Sequence, residues 1–264
     1  MSKMSTRPER GASGLPETEP FLSVLIPALN EEATLDEVIA AVLALPLSLE
    51  IVLVDDGSSD GTWGIMQTWC AEPRVHALRH ESPRGKGAAV RTALAAARGT
   101  MILVQDADTE YDISAYSRLL DPIIRGRATV VYGTRQFASH TAHSFWYVLG
   151  NKVLALATNV LFNVYLSDIE TAYKMLPRET ALAMRLTARG FELEPEITAK
   201  VLRMGHRIHE VPVEYVARSR AAGKKIRPSD GLKALVTLCR YRLWRPPGHA
   251  GGTPSPSDRD WARH

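Results

Sequence analysis

Apolar and polar positions follow two alternating periods along the first part of the chain. Residues 22–26 are a short apolar, β-branched run stopped by Pro27, the pattern of a buried strand. Residues 31–45 then carry Leu35, Val38, Ile39, Val42 and Leu45 at helical spacing, which predicts a helix with one apolar face. The succession repeats: strand 50–54, helix 62–71, strand 75–80, an alanine-rich helix 88–97, strand 101–104. Continuous apolar strands separated by helices predict an α/β fold, a largely parallel sheet with helices on both faces. Ligands of such sheets gather beyond the carboxyl ends of the strands. Three of the four predicted strands end there in polar or acidic loops, at 27–31, 55–61 and 105–110.

Further along, residues 145–166 are apolar enough to be weighed as a membrane span. Asn151, Lys152, Asn159 and Asn163 interrupt the run, and their burial in lipid is costly, so an amphipathic or buried helix is predicted instead. Residues 207–213 read as a strand. Residues 1–20 and 246–264 are rich in Ser, Pro and Gly and are expected to be disordered, which leaves a domain over 21–245.

Composition changes this picture only in places. With 264 residues, 45% hydrophobic and 23% charged, the chain has the makings of one soluble, well-filled core. The net charge of +3 argues neither for nor against a polyanion, but its distribution is informative. Arg218, Arg220, Lys224, Lys225, Arg227, Lys233, Arg240, Arg242 and Arg245 face the single acid Asp230, a bias that points to phosphate, a phospholipid surface or a polynucleotide. Cys70 and Cys239 are far apart, so neither a disulfide framework nor a zinc site is expected, and a reducing, cytoplasmic compartment fits. Residues 1–20 lack the apolar run of a signal peptide.

The strand-end loops hold the candidate chemistry. Asp106-Ala107-Asp108 puts two carboxylates on one side of an extended backbone, hard oxygen ligands suited to Mg²⁺ or Mn²⁺, and Glu110 continues the spacing. Asp55-Asp56-Gly57-Ser58 offers acceptors to a base or ribose edge; as a turn, Ser59 or Asp60 would cap the next helix. Gly85-Lys86-Gly87, ahead of a helix, is expected to present amides and an ammonium to a phosphate. Glu192, Glu194 and Glu196 read equally as an acidic rim facing a sugar or as the acid-rich first turn of a helix that also holds Pro195. The Walker A, GxGxxG, HExxH and GxSxG patterns do not occur.

Taken in order, Pro27-Ala28-Leu29-Asn30-Glu31, residues 54–62, Gly85-Lys86-Gly87 and Asp106-Ala107-Asp108 resemble the successive signatures of family 2 glycosyltransferases with the GT-A fold. The resemblance continues through Tyr132-Gly133-Thr134-Arg135, residues 167–174 and Gly223-Lys224-Lys225-Ile226, and is nearest to the polyprenyl- or dolichyl-phosphate sugar synthases. It implies that Pro27, Ala28, Asn30, Glu31, Asp55, Gly57, Lys86, Asp106 and Ala107 line a UDP- or GDP-sugar pocket. It further implies that Asp106, Asp108 and Glu110 hold the divalent ion, with Asp108 part of the catalytic centre. Asp168 matches the family's acidic position near the acceptor, the candidate base. Arg135, Arg218, Lys224 and Lys225 are the implied ligands of an acceptor phosphate. An inverting hexosyl transfer to a phosphorylated lipid follows, by an enzyme that contacts the cytoplasmic membrane face through residues 145–166 and the basic segment.

Three other readings are open to the sequence. The same donor chemistry can serve a soluble natural product or nucleoside. A sugar-phosphate nucleotidyltransferase also pairs carboxylates with a diphosphate, but it carries a glycine-rich basic loop where this chain has Pro27-Ala28-Leu29-Asn30-Glu31. A nucleic-acid binder leaves the three strand-end loops unexplained, and no nucleic-acid partner is expected.

Overall fold

A computed structural model describes residues 21–135, 145–216 and 228–247. Its framework is a seven-stranded sheet. Strands β1 (Leu22–Ala28), β2 (Leu49–Asp55), β3 (Val75–Arg79) and β4 (Met101–Val104) come first along the chain. They are followed by β5 (Val130–Arg135), β6 (Lys174–Pro177) and β7 (Ile208–Val213). The spatial order is β3-β2-β1-β4-β6-β5-β7. All pairs are parallel except those of β6, which runs antiparallel to both β4 and β5. The sheet is therefore mixed and mostly parallel, and the first four strands sit where the periodicity placed them.

Helices α1 (Leu35–Leu43), α2 (Thr62–Trp69) and α4 (Tyr116–Ile124) cover one face. Helices α3 (Lys86–Ala96), α6 (Arg178–Ala183) and α7 (Leu193–Arg203) cover the other. Pleating explains why the strand runs are continuous. Val24, Ile26, Ile51, Leu53 and Leu103 enter the first core, while Leu25, Val52, Val54, Ile102 and Val104 enter the second. Each such side chain, fully withdrawn from water, stabilises the fold by about 1.5–3 kcal/mol. Pro27 sits inside β1 rather than ending it. The pairing with β4 stops at Leu25, so the missing N–H falls beyond that neighbour's reach.

A smaller cluster joins α7 to α5 (Phe145–Phe162) and α8 (Pro228–Arg242). In α5, Asn151, Leu154, Ala155 and Thr158 turn inward at i, i+3, i+4 and i+7. Phe145, Leu149, Val153, Leu156 and Val160 stay exposed. The helix thus buries Asn151 and Thr158 beside Leu154 and Ala155 and leaves an apolar stripe, with Lys152, on the outside. Among the described residues no helix is long and apolar enough to cross a membrane.

Candidate active site

The carboxyl ends of β1, β2 and β4 meet on one edge of the sheet and are laced together by side chains. Asn30, in the left-handed region at φ 55°, donates its N–H to Ser58 Oγ and accepts the Ser59 N–H on Oδ1. The Glu31 N–H reaches Thr62 Oγ1, the Gly61 N–H reaches Glu32 Oε2 at 2.6 Å, and Thr34 Oγ1 donates to the Ala107 carbonyl. The N-cap of α2 is Gly61 rather than Ser59 or Asp60; Asp60, one residue earlier, accepts from the Thr62 N–H and hydroxyl. Gly57, at φ +79°, packs its α-carbon against the Ser82–Pro83 backbone, where a Cβ would lie 2.8 Å from Ser82 C. Asp55 is fully buried, with Oδ1 on the Ser58 N–H and Oδ2 2.9 Å from the Arg79 guanidinium.

Asp56 has a different task. Its Oδ1 accepts the Arg84 N–H, its Oδ2 accepts the Gly85 N–H, and buried His80 fixes it at 2.6 Å while reaching Thr92 with the other ring nitrogen. This lattice sets the loop that delivers Lys86 as the first residue of α3. The expected role of the Gly85-Lys86-Gly87 amides is corrected here. The Gly85 N–H is taken by Asp56 and the Gly87 N–H by the Arg189 carbonyl, so the glycines serve close packing and not phosphate binding. A Cβ on Gly85 would collide with Arg189 O, and one on Gly87 with Ala188 O.

What the loop does present is the Lys86 ammonium, 2.8 Å from Asp106 Oδ1 and 2.9 Å from Glu194 Oε1. Burial alone would lower its pKa. The Asp106 and Glu194 carboxylates outweigh that and hold it well above the ordinary lysine value. Asp106 and Asp108, in the bend that follows β4, are half-buried, and Ala107 between them is turned into the core. Gln105 anchors this strand end. Its Oε1 accepts the Tyr116 and Tyr173 hydroxyls at 2.9 and 2.7 Å, and its Nε2 donates to the Asp106 carbonyl.

Glu110, the expected third metal ligand, accepts a short hydrogen bond from the Tyr215 hydroxyl, and its N–H donates to Asp108 Oδ1. Among the described residues no three His, Cys, Asp or Glu side chains converge as a metal site. The donor chemistry nevertheless fits Mg²⁺ or Mn²⁺, which accept one or two carboxylates and complete their shell with water and phosphate oxygens.

Asp168 and Arg135, expected as base and phosphate ligand, are brought together by the loop before β6 and the end of β5. They form a buried bidentate pair, with Arg135 Nε and Nη2 at 2.7 and 2.8 Å from the two carboxylate oxygens. Asp168 also accepts from the backbone N–H groups of Arg135 and Glu170 and from Asn151 Nδ2. Burial opposes ionisation of Asp168, but Arg135 prevails and holds its pKa below the usual carboxylate range. The Arg135 guanidinium lies 5.3 Å above the Tyr215 ring. Arg218, Lys224 and Lys225 lie outside the described residues.

The three alternating glutamates divide into three roles. Glu192 accepts the Arg189 and Gly190 N–H groups, and Glu196 is buried against Lys200, Thr187 and Ala188. Only Glu194 faces the site. Pro195 falls in the first turn of α7, where its missing N–H costs nothing. The periodicity gave no role to Glu170 or Lys174. Glu170 is pushed up to about 7, first by burial and then by the Glu194 charge. Lys174 is brought down to about 8 by burial; its ammonium donates to the Ile169 and Thr171 carbonyls. Their motif, residues 167–174, was visible in the sequence, but nothing in its spacing announced a buried charge cluster.

Known proteins bear on this geometry. The profile described as Glycosyl transferase family 2 matches residues 23–181. The polyprenol monophosphomannose synthase of Mycolicibacterium smegmatis is 30% identical over 218 residues, covering 77% of this chain and 82% of that protein. The undecaprenyl-phosphate mannosyltransferase of Micrococcus luteus is 28% identical over 232 residues, covering 83% and 93%. Among solved structures, glucosyl-3-phosphoglycerate synthase from Mycobacterium tuberculosis, in complex with Mn²⁺, uridine diphosphate and phosphoglyceric acid, superposes with a TM-score of 0.66. Its sequence is 20% identical, and the match covers 92% of this chain and 86% of that one.

Proposed function

Because the chain belongs to glycosyl transferase family 2, we propose that it moves a hexose from a UDP- or GDP-sugar, with inversion, to a polyprenyl- or dolichyl-phosphate-type lipid acceptor. The observation that carries this reading is the ion pair of the Lys86 ammonium with Asp106, two residues before Asp108, at the carboxyl ends of the sheet, in a chain whose relatives are named for lipid-phosphate sugar transfer. The nucleoside lies over the loops of Pro27, Ala28, Asn30 and Glu31 and of Asp55 and Gly57, whose mutual hydrogen bonds set the shape of the pocket.

Asp106 and Asp108 are the residues that would hold Mg²⁺ or Mn²⁺, which supplies charge stabilisation to the departing nucleoside diphosphate. Lys86 brings a second positive charge to the diphosphate side of the pocket. Being tethered by Asp106 and Glu194, it is oriented before the donor arrives. An acceptor phosphate is already anionic near neutral pH and needs orientation more than deprotonation. Asp168, both of whose oxygens are engaged, therefore acts by positioning Arg135 rather than by taking a proton. Arg218, Lys224 and Lys225 extend the phosphate-binding set.

The lipid half of the acceptor has a matching surface. The exposed stripe on α5 is joined by Leu232 and Val236 on α8 and by Leu243 just beyond its end, and Lys152, Lys233, Arg240 and Arg242 sit among these apolar positions. Apolar side chains rimmed by basic ones suit an interfacial position on an anionic bilayer.

The test is product formation with polyprenyl phosphate in anionic vesicles, using UDP- and GDP-hexoses, with and without EDTA. A lipid-linked monosaccharide of inverted anomeric configuration is expected, its formation abolished by EDTA and by Asp108→Ala. Transfer only to water-soluble acceptors, or retention of configuration by NMR, would reject this reading.

A further inference from the structure

Two of the asparagines that interrupt the apolar run of α5 reach out of the helix to one loop. Asn159 accepts the Leu166 N–H on Oδ1 at 2.8 Å and donates from Nδ2 to the Leu166 carbonyl at 3.0 Å. Asn151 is 5% exposed, and its Nδ2 lies 3.1 Å from Asp168 Oδ1. Leu154 packs in one cluster with Leu166 and Ile169, the residues that bracket Ser167 and Asp168. Helix α5 and the loop that carries Asp168 are therefore joined at three points. Thr158 gives the contrast, since its hydroxyl is satisfied within the helix by the Leu154 carbonyl.

Architecture alone does not call for an amide at position 151. Its Oδ1 is buried with no donor, a state that folded proteins rarely tolerate. The amide cannot be turned round to relieve this, because the oxygen would then face the Asp168 carboxylate. An apolar side chain beside Leu154 and Ala155 would fill the space without an orphan atom. The loop does not need Asn151 to fold either, since Glu210 Oε1 on β7 receives the Ser167 and Asp168 N–H groups. What Asn151 adds is a link from α5 to the carboxylate that grips Arg135.

The far side of the same helix is the exposed apolar stripe. At 3.6 residues per turn, Val153 lies about 200° and Val160 about 180° round the axis from Asn151, and both are exposed. A helix with its side chains is about 10–12 Å across, so the Arg135–Asp168 pair stands roughly that far above the stripe. Interfacial helices sink about 5–10 Å into the boundary of headgroups and acyl chains, which leaves the pair at about the level of the headgroup phosphates. We propose that Asn151 is a positioning residue that ties the Arg135–Asp168 pair to α5, so that the acceptor phosphate is received at a height fixed by the seat of this helix on an anionic bilayer. The proposal rests on the lipid-acceptor reading above and states how its two halves, the apolar surface and the arginine, are kept in register. An acceptor free in water adjusts its own position to Arg135. One embedded in a bilayer cannot, because its phosphate stays at headgroup level, so the embedded acceptor depends on the register far more.

The experiment uses the full chain, UDP- and GDP-hexoses, and two acceptors. One is a long-chain polyprenyl phosphate in phosphatidylserine–phosphatidylcholine vesicles; the other is a short-chain, water-soluble prenyl phosphate without vesicles. Asn151→Leu should raise KM for the embedded acceptor about tenfold and for the soluble one by no more than about threefold. Vesicle co-sedimentation and the calorimetric affinity for UDP or GDP should stay within about twofold of wild type. Asn151→Ser cuts the same contact without adding an apolar branch and should give the same split. An equal rise for both acceptors overturns the proposal, as does no rise for either, or a loss of vesicle binding large enough to account for the embedded KM. If neither variant folds by circular dichroism, Asn151 serves the fold alone and the proposal is equally overturned. A wild-type chain that does not bind the vesicles at low salt, or that turns over only the soluble acceptor, rejects the lipid-acceptor reading itself before any variant is made.

Discussion

Replacing Asp168 by asparagine separates two roles that a buried acid beside an acceptor site can play. The side chain is 2% exposed and its partner Arg135 4% exposed, and the carboxylate collects N–H groups from Arg135 Nε, Nη2 and backbone, Asn151 Nδ2 and the Glu170 backbone. Asparagine keeps the shape but has one oxygen and one NH₂. Whichever way it is turned, at least two of those donors then face a donor. Lost buried hydrogen bonds at about 1–3 kcal/mol each, together with a buried guanidinium deprived of its counter-charge, give an expected destabilisation of about 3–5 kcal/mol. Urea unfolding followed by tryptophan fluorescence reads this directly. Arg135→Met should cost a similar amount. The double variant Arg135→Met/Asp168→Leu should cost less than the two single effects added, since it removes both charges together. Acceptor KM should rise and turnover per folded molecule fall, while the pH dependence of kcat keeps its shape. If Asp168→Asn were as stable as wild type within about 1 kcal/mol and lost turnover along with an ionisation in the kcat profile, Asp168 would be the base and the positioning argument would be wrong.

The remaining predictions concern the loop, the lysine and Glu170. Lys86→Met should weaken nucleoside diphosphate binding by roughly ten- to a hundredfold, with Lys86→Arg retaining part of it, as read by calorimetry with UDP and GDP. Gly85→Ala adds a Cβ at φ +95° against the Arg189 carbonyl and should lower stability by at least about 1–3 kcal/mol in a denaturation assay, with donor affinity falling in parallel because the loop carries Lys86. Glu170 has a folded-state pKa of about 7 against an ordinary 4.5, so the folded chain binds more protons between these values. Its contribution to stability is complete below pH 4.5 and is lost as pH rises toward 7, by on the order of 3 kcal/mol. Glu170→Gln should abolish that falling limb, so that the variant gains on wild type steadily from pH 5 to 8 in thermal unfolding.

Much of this was already written in the chain. Continuous apolar runs of five or so residues, each followed by a helical period, dictate buried parallel strands because only a sheet covered on both faces hides both sides of such a run. The polar loops at 27–31, 55–61 and 105–110 then had to share the carboxyl edge, and Asp106, Asp108 and Lys86 were legible as candidates from loop position alone. Tertiary structure decided the rest, because partnership between distant residues leaves no period in a sequence. Asp56 and His80, 24 residues apart, hold the loop that aims Lys86, and the Gly85 and Gly87 amides are consumed by Asp56 and Arg189 instead of facing a phosphate. Asp168 found Arg135 across the antiparallel β6, a strand whose short run lies outside the repeating pattern. Of three alternating glutamates only Glu194 faces the site, since on a helix alternate residues do not share a face. The sequence thus determined which edge of the sheet carries the chemistry, while the packing of β5, β6 and α7 against that edge determined which charges are free to meet a ligand.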